Sequence, residues 1–225
     1  MGKRLIMINI TNEDNMLLMA RYPDNYFDLA IVDPPYGIGD FSNKPTSKKK
    51  HNKSYDIKWN ESTPQLEYFK ELKRVSKHHI IFGFQFYMKY LWENLKGVII
   101  HDFGSTGGFG SDSDLAITDL QNRVTSFTYR WQGFIRGGQN EIDTQRIHPC
   151  EKPMSLYEYL LKNYAKQDYK ILDTHLGSGS IAIAIDNVNK IEKMNLTLTA
   201  CELDPDYFKA AMKRIEQQTA QQTIF

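Results

Sequence analysis

The sequence predicts an α/β fold, a doubly wound and mainly parallel sheet with an antiparallel hairpin, on three observations. Short apolar runs alternate with amphipathic stretches along most of the chain, which is the order of βα units. Three of those runs, FDLAIVD, KILD and LTLTACELD, are apolar in blocks and end in acid, as strands covered on both faces with polar work at one end do. Between residues 124 and 134, VTSFTYRWQGF instead alternates polar and apolar positions, the pattern of antiparallel strands. With 225 residues, 41% of them apolar, the chain can bury one sizeable core but not two large ones, so a single domain over 1–225 is expected.

Taken in order, RLIMINI reads as the first strand, and Thr11 to Asp14 as a polar break before a short helix, NMLLMARY, which Asp14 can cap. Phe27 to Asp33 is the second strand. From Ile38 to Pro64 apolar periodicity is absent, and Lys44, Lys48, Lys49, Lys50, Lys53 and Lys58 are interleaved with Tyr55 and Trp59. Long loops inside compact domains are functional or disordered, so a mobile loop at about 38–64 that neutralises phosphates is expected. Pro64 to Val75 reads as an amphipathic helix, and His78 to Phe84 as a buried strand with His78 and His79 at its edge. Phe86 to Leu95 reads as helical, and Gly97 to Phe103 as another strand. A Gly- and Ser-rich stretch follows, then LAITDL and the alternating segment. MSLYEYLLKNYA reads as an amphipathic helix, KILD and LTLTACELD as the last buried strands.

A net charge of +1 excludes a global nucleic-acid signature and leaves only a local patch to bind a polyanion. Cys150 and Cys201 lack metal-ligand spacing, which predicts a reduced, cytoplasmic chain without structural zinc, and no apolar run approaches membrane-spanning length.

The chemistry concentrates after the second strand. Pro34 and Pro35 have no amide hydrogens, and Asp33, preceding proline, is held extended, so this turn offers acceptors and hardly any donors. Such a surface suits an NH2 group. The Asp33 carboxylate and the Pro34 carbonyl can each accept one hydrogen of an exocyclic amine, leaving its lone pair aimed at an electrophile, while Tyr36 offers a ring for stacking.

Asp33-Pro34-Pro35-Tyr36 resembles the catalytic motif of the amino-methyltransferases that methylate adenine N6 or cytosine N4 in DNA, the D-P-P-Y form being mostly associated with adenine. The order of motifs, catalytic block first, recognition segment next and cofactor block last, resembles the circularly permuted beta arrangement of that family over about residues 1–217. The resemblance implies a Rossmann-like methyltransferase fold, S-adenosylmethionine as cofactor, DNA as partner, no metal, and Asp33, Pro34, Pro35 and Tyr36 as the catalytic set. It places the cofactor on Asp173, His175, Gly177, Ser178, Gly179 and Ser180, where an apolar strand runs through a glycine turn into a helix start, and its ribose on Glu202. By the same resemblance Asp14 lies near the cofactor's adenine, and Lys152, in an H-P-x-x-K-P block, near its methionine carboxylate. Lys48, Lys49, Lys50, Lys53, Arg130 and Arg136 become DNA contacts, and about 104–147 the target-recognition segment. A homodimer and a restriction partner remain open.

Two positions depart from the family pattern. Glu13 stands where relatives commonly carry glycine, and His175 where many carry phenylalanine. Three other readings stay open: transfer to cytosine N4, transfer to a protein glutamine, and a nucleic-acid binder with an inactive site. A Pro149-Cys150 nucleophile for cytosine C5 would leave Asp33-Pro34-Pro35-Tyr36 without purpose.

Overall fold

A computed structural model of the chain describes residues 7–39, 60–91, 95–104, 111–132, 135–136, 147–148 and 150–220. Its elements in chain order are β1 (Ile8–Asn12), α1 (Asn15–Ala20), β2 (Phe27–Val32), α2 (Leu66–Val75), β3 (Ser76–Phe82), β4 (Gly97–Asp102), β5 (Ser113–Thr118), β6 (Val124–Thr128), β7 (Trp131–Gln132), β8 (Ile135–Arg136), α3 (Met154–Tyr164), β9 (Lys170–Asp173), α4 (Ser180–Ile191), β10 (Thr197–Glu202) and α5 (Pro205–Thr219). Among the described residues eight strands form one sheet in the order β1-β10-β9-β2-β3-β5-β4-β6. Within that sheet β5 runs against its neighbours, pairing antiparallel with both β3 and β4, and β7 and β8 form a separate antiparallel pair.

The apolar blocks became the central strands for the reason that made them legible: both faces are covered. Leu29 and Ile31 of β2 are buried with Leu156 and Leu160 of α3 and Ile181 and Ile185 of α4, while Ala30 and Val32 are buried with Leu18 of α1 and Phe69 and Leu72 of α2. Helices therefore sandwich the sheet, and each fully buried aliphatic side chain contributes roughly 1.5–3 kcal/mol. Asp14 caps α1, its Oδ1 accepting from the amides of Met16 at 2.8 Å and Leu17 at 3.3 Å. Asp204 caps α5 in the same way, ahead of Pro205.

Several expectations are corrected. The alternating segment divides: β6 pairs parallel with β4, its alternation arising because it is the edge strand with one half-covered face, while β7 pairs antiparallel with β8 as expected. The stretch expected as a helix from Phe86 forms two 3-10 turns, Phe84–Phe86 and Met88–Tyr90, in which Phe86 packs on Tyr36 and Tyr87 on Phe69. Within the segment expected at about 104–147, Ser113–Thr118 and Val124–Thr128 are strands of the main sheet, β5 and β6. His78 and His79, read as simple edge residues, both engage Asp119: the Nδ1 of His78 lies 2.9 Å from one carboxylate oxygen, and the His79 amide donates to the other at 2.8 Å.

β9 connects through α4 to β10 on one side, and β2 through α2 to β3 on the other, so the winding reverses between β9 and β2. The carboxyl ends of these strands open there, the place where ligands enter doubly wound sheets. No helix among the described residues is long and apolar enough to cross a membrane.

Candidate active site

A cavity of about 530 Å³ lies outside those strand ends, lined by Asp33, Pro34, Pro35 and Tyr36 after β2, His175, Gly177 and Ser178 after β9, Glu202 at the end of β10, and Lys152 before α3. Its size suits a nucleoside-sized ligand.

The turn after β2 is held from three sides. Asn60 accepts from the Tyr36 amide through Oδ1 at 2.9 Å, and the backbones of Gly39 and Asn60 meet at 3.0 Å, so the chain that leaves at Gly39 returns at Asn60. Tyr87, fully buried, donates its hydroxyl to the carbonyls of Pro34 and Pro35. The Tyr36 ring stacks on Phe86 with centroids 4.9 Å apart, and its hydroxyl donates to Asp33 Oδ1 at 2.7 Å. Gly83, at the end of β3 with φ +69°, makes room for that ring, since a Cβ there would stand 2.2 Å from Tyr36 Cε1. The sequence offers Tyr36 as an open stacking platform; in the structure one face is taken by Phe86 and its hydroxyl by Asp33.

Lys152 sits at the centre of the polar cluster, 7% exposed at its side chain. Its ammonium lies 2.5 Å from Asp33 Oδ2 and 2.9 Å from Asp114 Oδ2, and it donates to the Tyr36 hydroxyl at 3.3 Å. Burial works against the charge of Lys152, but Asp114 and Asp33 outweigh it and hold the amine above its ordinary pKa, as an ammonium. Burial pushes the Asp33 carboxyl upward and Asp114 adds to that, with Lys152 and the Tyr36 hydroxyl opposing. Burial also raises the Tyr36 phenol well above its ordinary value, so it acts as a donor. Lys152, expected near the cofactor, lines the cavity and pairs there with the Asp33 carboxylate of the turn after β2.

On the other side of the cavity the glycine turn is built around Glu202, whose Oε2 accepts from the Gly177 amide at 2.8 Å and whose Oε1 accepts from the Asp204 amide at 3.0 Å. Gly177 has φ +55°, a left-handed conformation that a side chain strains. His175 lies against Asn15 at 3.1 Å and Thr174 at 2.9 Å, and burial lowers its pKa to about 3, so the imidazole is neutral.

Four of the expected cofactor residues stand behind the cavity wall. Asp14 is the helix cap already described, and Glu13, Asn15 and Met16 line the wall at that level. Asp173, 1% exposed, accepts from the His175 amide at 3.0 Å and shapes the turn from below. Gly179, with φ +78°, lets α4 approach Ile215 of α5, and Ser180 bonds to Ser178 and Arg214. Of the expected DNA contacts, Lys48, Lys49, Lys50 and Lys53 lie outside the described residues; Arg130 is exposed beyond β6, and Arg136 is placed on β8. Sequence reasoning missed Asp114, Asn60 and Tyr87. Asp114 opens a strand, and no spacing along the chain connects it to Asp33 or Lys152.

A family model described as DNA methylase, of the N6/N4 type, matches residues 113–213, from β5 into α5. The type II methyltransferase M.HpaI of Haemophilus parainfluenzae is 21% identical over 255 aligned positions, covering 97% of this chain and 76% of that protein. Among solved structures, the M1.HpyAVI–SAM complex superposes with a TM-score of 0.55 at 15% identity, covering 92% of this chain and 100% of that one. PvuII DNA methyltransferase, cytosine-N4-specific, superposes with a TM-score of 0.55 at 11% identity, covering 94% and 91%. At these identities the likeness is one of fold, and the chain has the Rossmann-like α/β fold that these methyltransferases share.

Proposed function

We propose that the protein methylates an exocyclic amine of a base in DNA, adenine N6 in the first reading, with S-adenosylmethionine as methyl donor. One observation carries the proposal: the Asp33 to Tyr36 turn and the Gly177 and Glu202 turn, far apart in sequence, line one cavity at the reversal point of the sheet. The residues fit the donor. Glu202 presents a carboxylate where ribose hydroxyls would need an acceptor, the left-handed Gly177 lets backbone approach, and the neutral His175 leaves room for a cation.

S-adenosylmethionine supplies an electrophilic methyl group on its sulfonium. The rest is orientation by the chain's own groups. A base is taken out of its stack, at a few kcal/mol, because its amine cannot be reached inside the duplex. Asp33 and the Pro34 carbonyl each accept one amine hydrogen, which aims the nitrogen lone pair out of the turn. Tyr87 fixes the Pro34 carbonyl from behind and still leaves it a lone pair. As the new carbon–nitrogen bond forms and the methyl–sulfur bond breaks, the Asp33 carboxylate stabilises the positive charge growing on nitrogen, which is discharged when the methylated amine releases one proton to solvent. The mechanism has no covalent enzyme intermediate, so Cys150, exposed at the cavity wall, has no role in it.

A second reading, cytosine N4, is supported by the fold's likeness to a methyltransferase named cytosine-N4-specific, and by the fact that an acceptor pair suits either amine. The test is transfer from labelled S-adenosylmethionine to mixed-sequence DNA by the wild type and by Asp33→Ala. Wild-type transfer that Asp33→Ala abolishes, with cofactor affinity within a few-fold, supports the proposal; equal turnover by the variant contradicts it.

A further inference from the structure

Both oxygens of the Asp33 carboxylate are engaged, Oδ1 by the Tyr36 hydroxyl at 2.7 Å and Oδ2 by the Lys152 ammonium at 2.5 Å. Each oxygen keeps a second lone pair for an incoming amine, but the ammonium at Oδ2 neutralises the charge that would stabilise the amine as it becomes cationic. The ammonium is the obstacle with the higher energetic cost, because a buried cation stripped of its partner costs several kcal/mol. Lys152 has a second partner at hand, however. Asp114 Oδ2 is 2.9 Å from the same nitrogen.

Asp114 is itself firmly placed. It stands near the start of β5, the antiparallel strand of the main sheet, opposite His101 of β4, and its Oδ1 accepts from the Leu115 amide at 3.1 Å. Its carboxylate also lies 3.2 and 3.3 Å from the Tyr36 hydroxyl, so it touches both groups that hold Asp33. The ring of Phe82 lies 4.5 Å from the Lys152 ammonium and offers it a cation-binding face. The ammonium can thus move from one carboxylate to the other and remain paired throughout.

We propose that Asp114 is a positioning residue for methyl transfer, a second station that draws the Lys152 ammonium off Asp33 when a substrate amine arrives. The proposal rests on the methyltransferase reading above and concerns Asp33 only through Lys152. Without the Asp114 charge, Lys152 has Asp33 as its sole carboxylate and stays there. The charge that should stabilise the amine is then held by the ammonium although the cofactor side of the cavity is intact.

The test is a double-mutant cycle at saturating cofactor and DNA, with cofactor affinity measured by calorimetry on each variant. Wild type is assayed first by nucleoside analysis of the DNA; absence of any methylated amine would remove the functional reading itself, and the cycle decides the present proposal once transfer is seen. Asp114→Asn is expected to lower kcat at least tenfold while cofactor affinity stays within about threefold. Asp114→Asn combined with Lys152→Met is expected to turn over faster than Asp114→Asn alone, since removing the ammonium frees Asp33. Unchanged kcat in Asp114→Asn, or a double variant no faster than the single one, overturns the proposal. If Asp114→Asn does not bind cofactor, Asp114→Glu takes its place: a fall in rate that disappears on the Lys152→Met background supports the proposal, and an equal fall on both backgrounds overturns it.

Discussion

Tyr87 reaches the Pro34 carbonyl with its hydroxyl at 2.6 Å from a fully buried position, tying the 3-10 turns after β3 to the turn after β2. Burial raises this phenol far above its ordinary pKa, so it donates at every accessible pH. It sets the direction of the one neutral acceptor that the proposed mechanism uses.

Tyr87→Phe keeps the ring and removes the donor. The buried carbonyls are then left without that partner, and folding stability is expected to fall by about 1–3 kcal/mol in urea unfolding. Turnover at saturating cofactor is expected to fall about tenfold with cofactor affinity unchanged. Wild-type turnover in the variant would remove the Pro34 carbonyl from the mechanism.

On the cofactor side, Gly177→Val forces a β-branched residue into φ +55°, a strain of about 1–3 kcal/mol. Glu202→Ala frees the Gly177 and Asp204 amides and removes the acceptor for ribose. Each is expected to weaken S-adenosylmethionine binding at least tenfold by calorimetry. Unchanged affinity in both variants would move the cofactor elsewhere.

Asp173 couples stability to pH. Burial raises its carboxyl from 3.8 to about 7 in the folded protein, whereas the unfolded chain titrates near the lower value. Between the two the native state keeps a proton that the unfolded state has released, so this group's contribution declines as pH rises from about 4 to about 7 and is level above. Asp173→Asn keeps an oxygen for the His175 amide and has no charge to bury. Its stability advantage over wild type, without ligand, is expected to grow from near zero at pH 4 to a few kcal/mol at pH 8 in urea unfolding. A difference that does not vary with pH would contradict this.

The lysine-rich segment is tested through salt. Replacing Lys48, Lys49 and Lys50 with Ala is expected to weaken DNA binding across all sequences. The log–log salt slope should flatten by up to about 0.9 for each phosphate that is no longer neutralised. A slope equal to that of the wild type would mean that these lysines do not touch the DNA.

What could be read in the sequence was what depends on neighbours along the chain. β2, β9 and β10 were legible because burial on both faces demands unbroken apolar runs, and Asp33, Gly177 and Glu202 follow those runs directly. The cap at Asp14 was legible for the same local reason. What could not be read was created by folding. Asp114 and Lys152 meet Asp33 only because β5 inserts between β3 and β4 and the start of α3 is brought under the turn after β2. β6 alternates like an antiparallel strand because it is an edge, and its direction is set by pairing with β4, which composition does not record. The 3-10 turns after Gly83 stand in place of an expected helix because their aromatic rings pack on Tyr36 and Phe69.

The central claim is that an acceptor turn aims an exocyclic amine, and the identity of the methylated nucleoside tests it most directly. DNA of mixed sequence is incubated with labelled S-adenosylmethionine and either wild type or Cys150→Ser, digested, and its nucleosides separated. N6-methyladenine is the product predicted from both proteins, with N4-methylcytosine indicating only that a different base fits beside the same acceptors. 5-Methylcytosine from the wild type, with Cys150→Ser inactive, would contradict the claim.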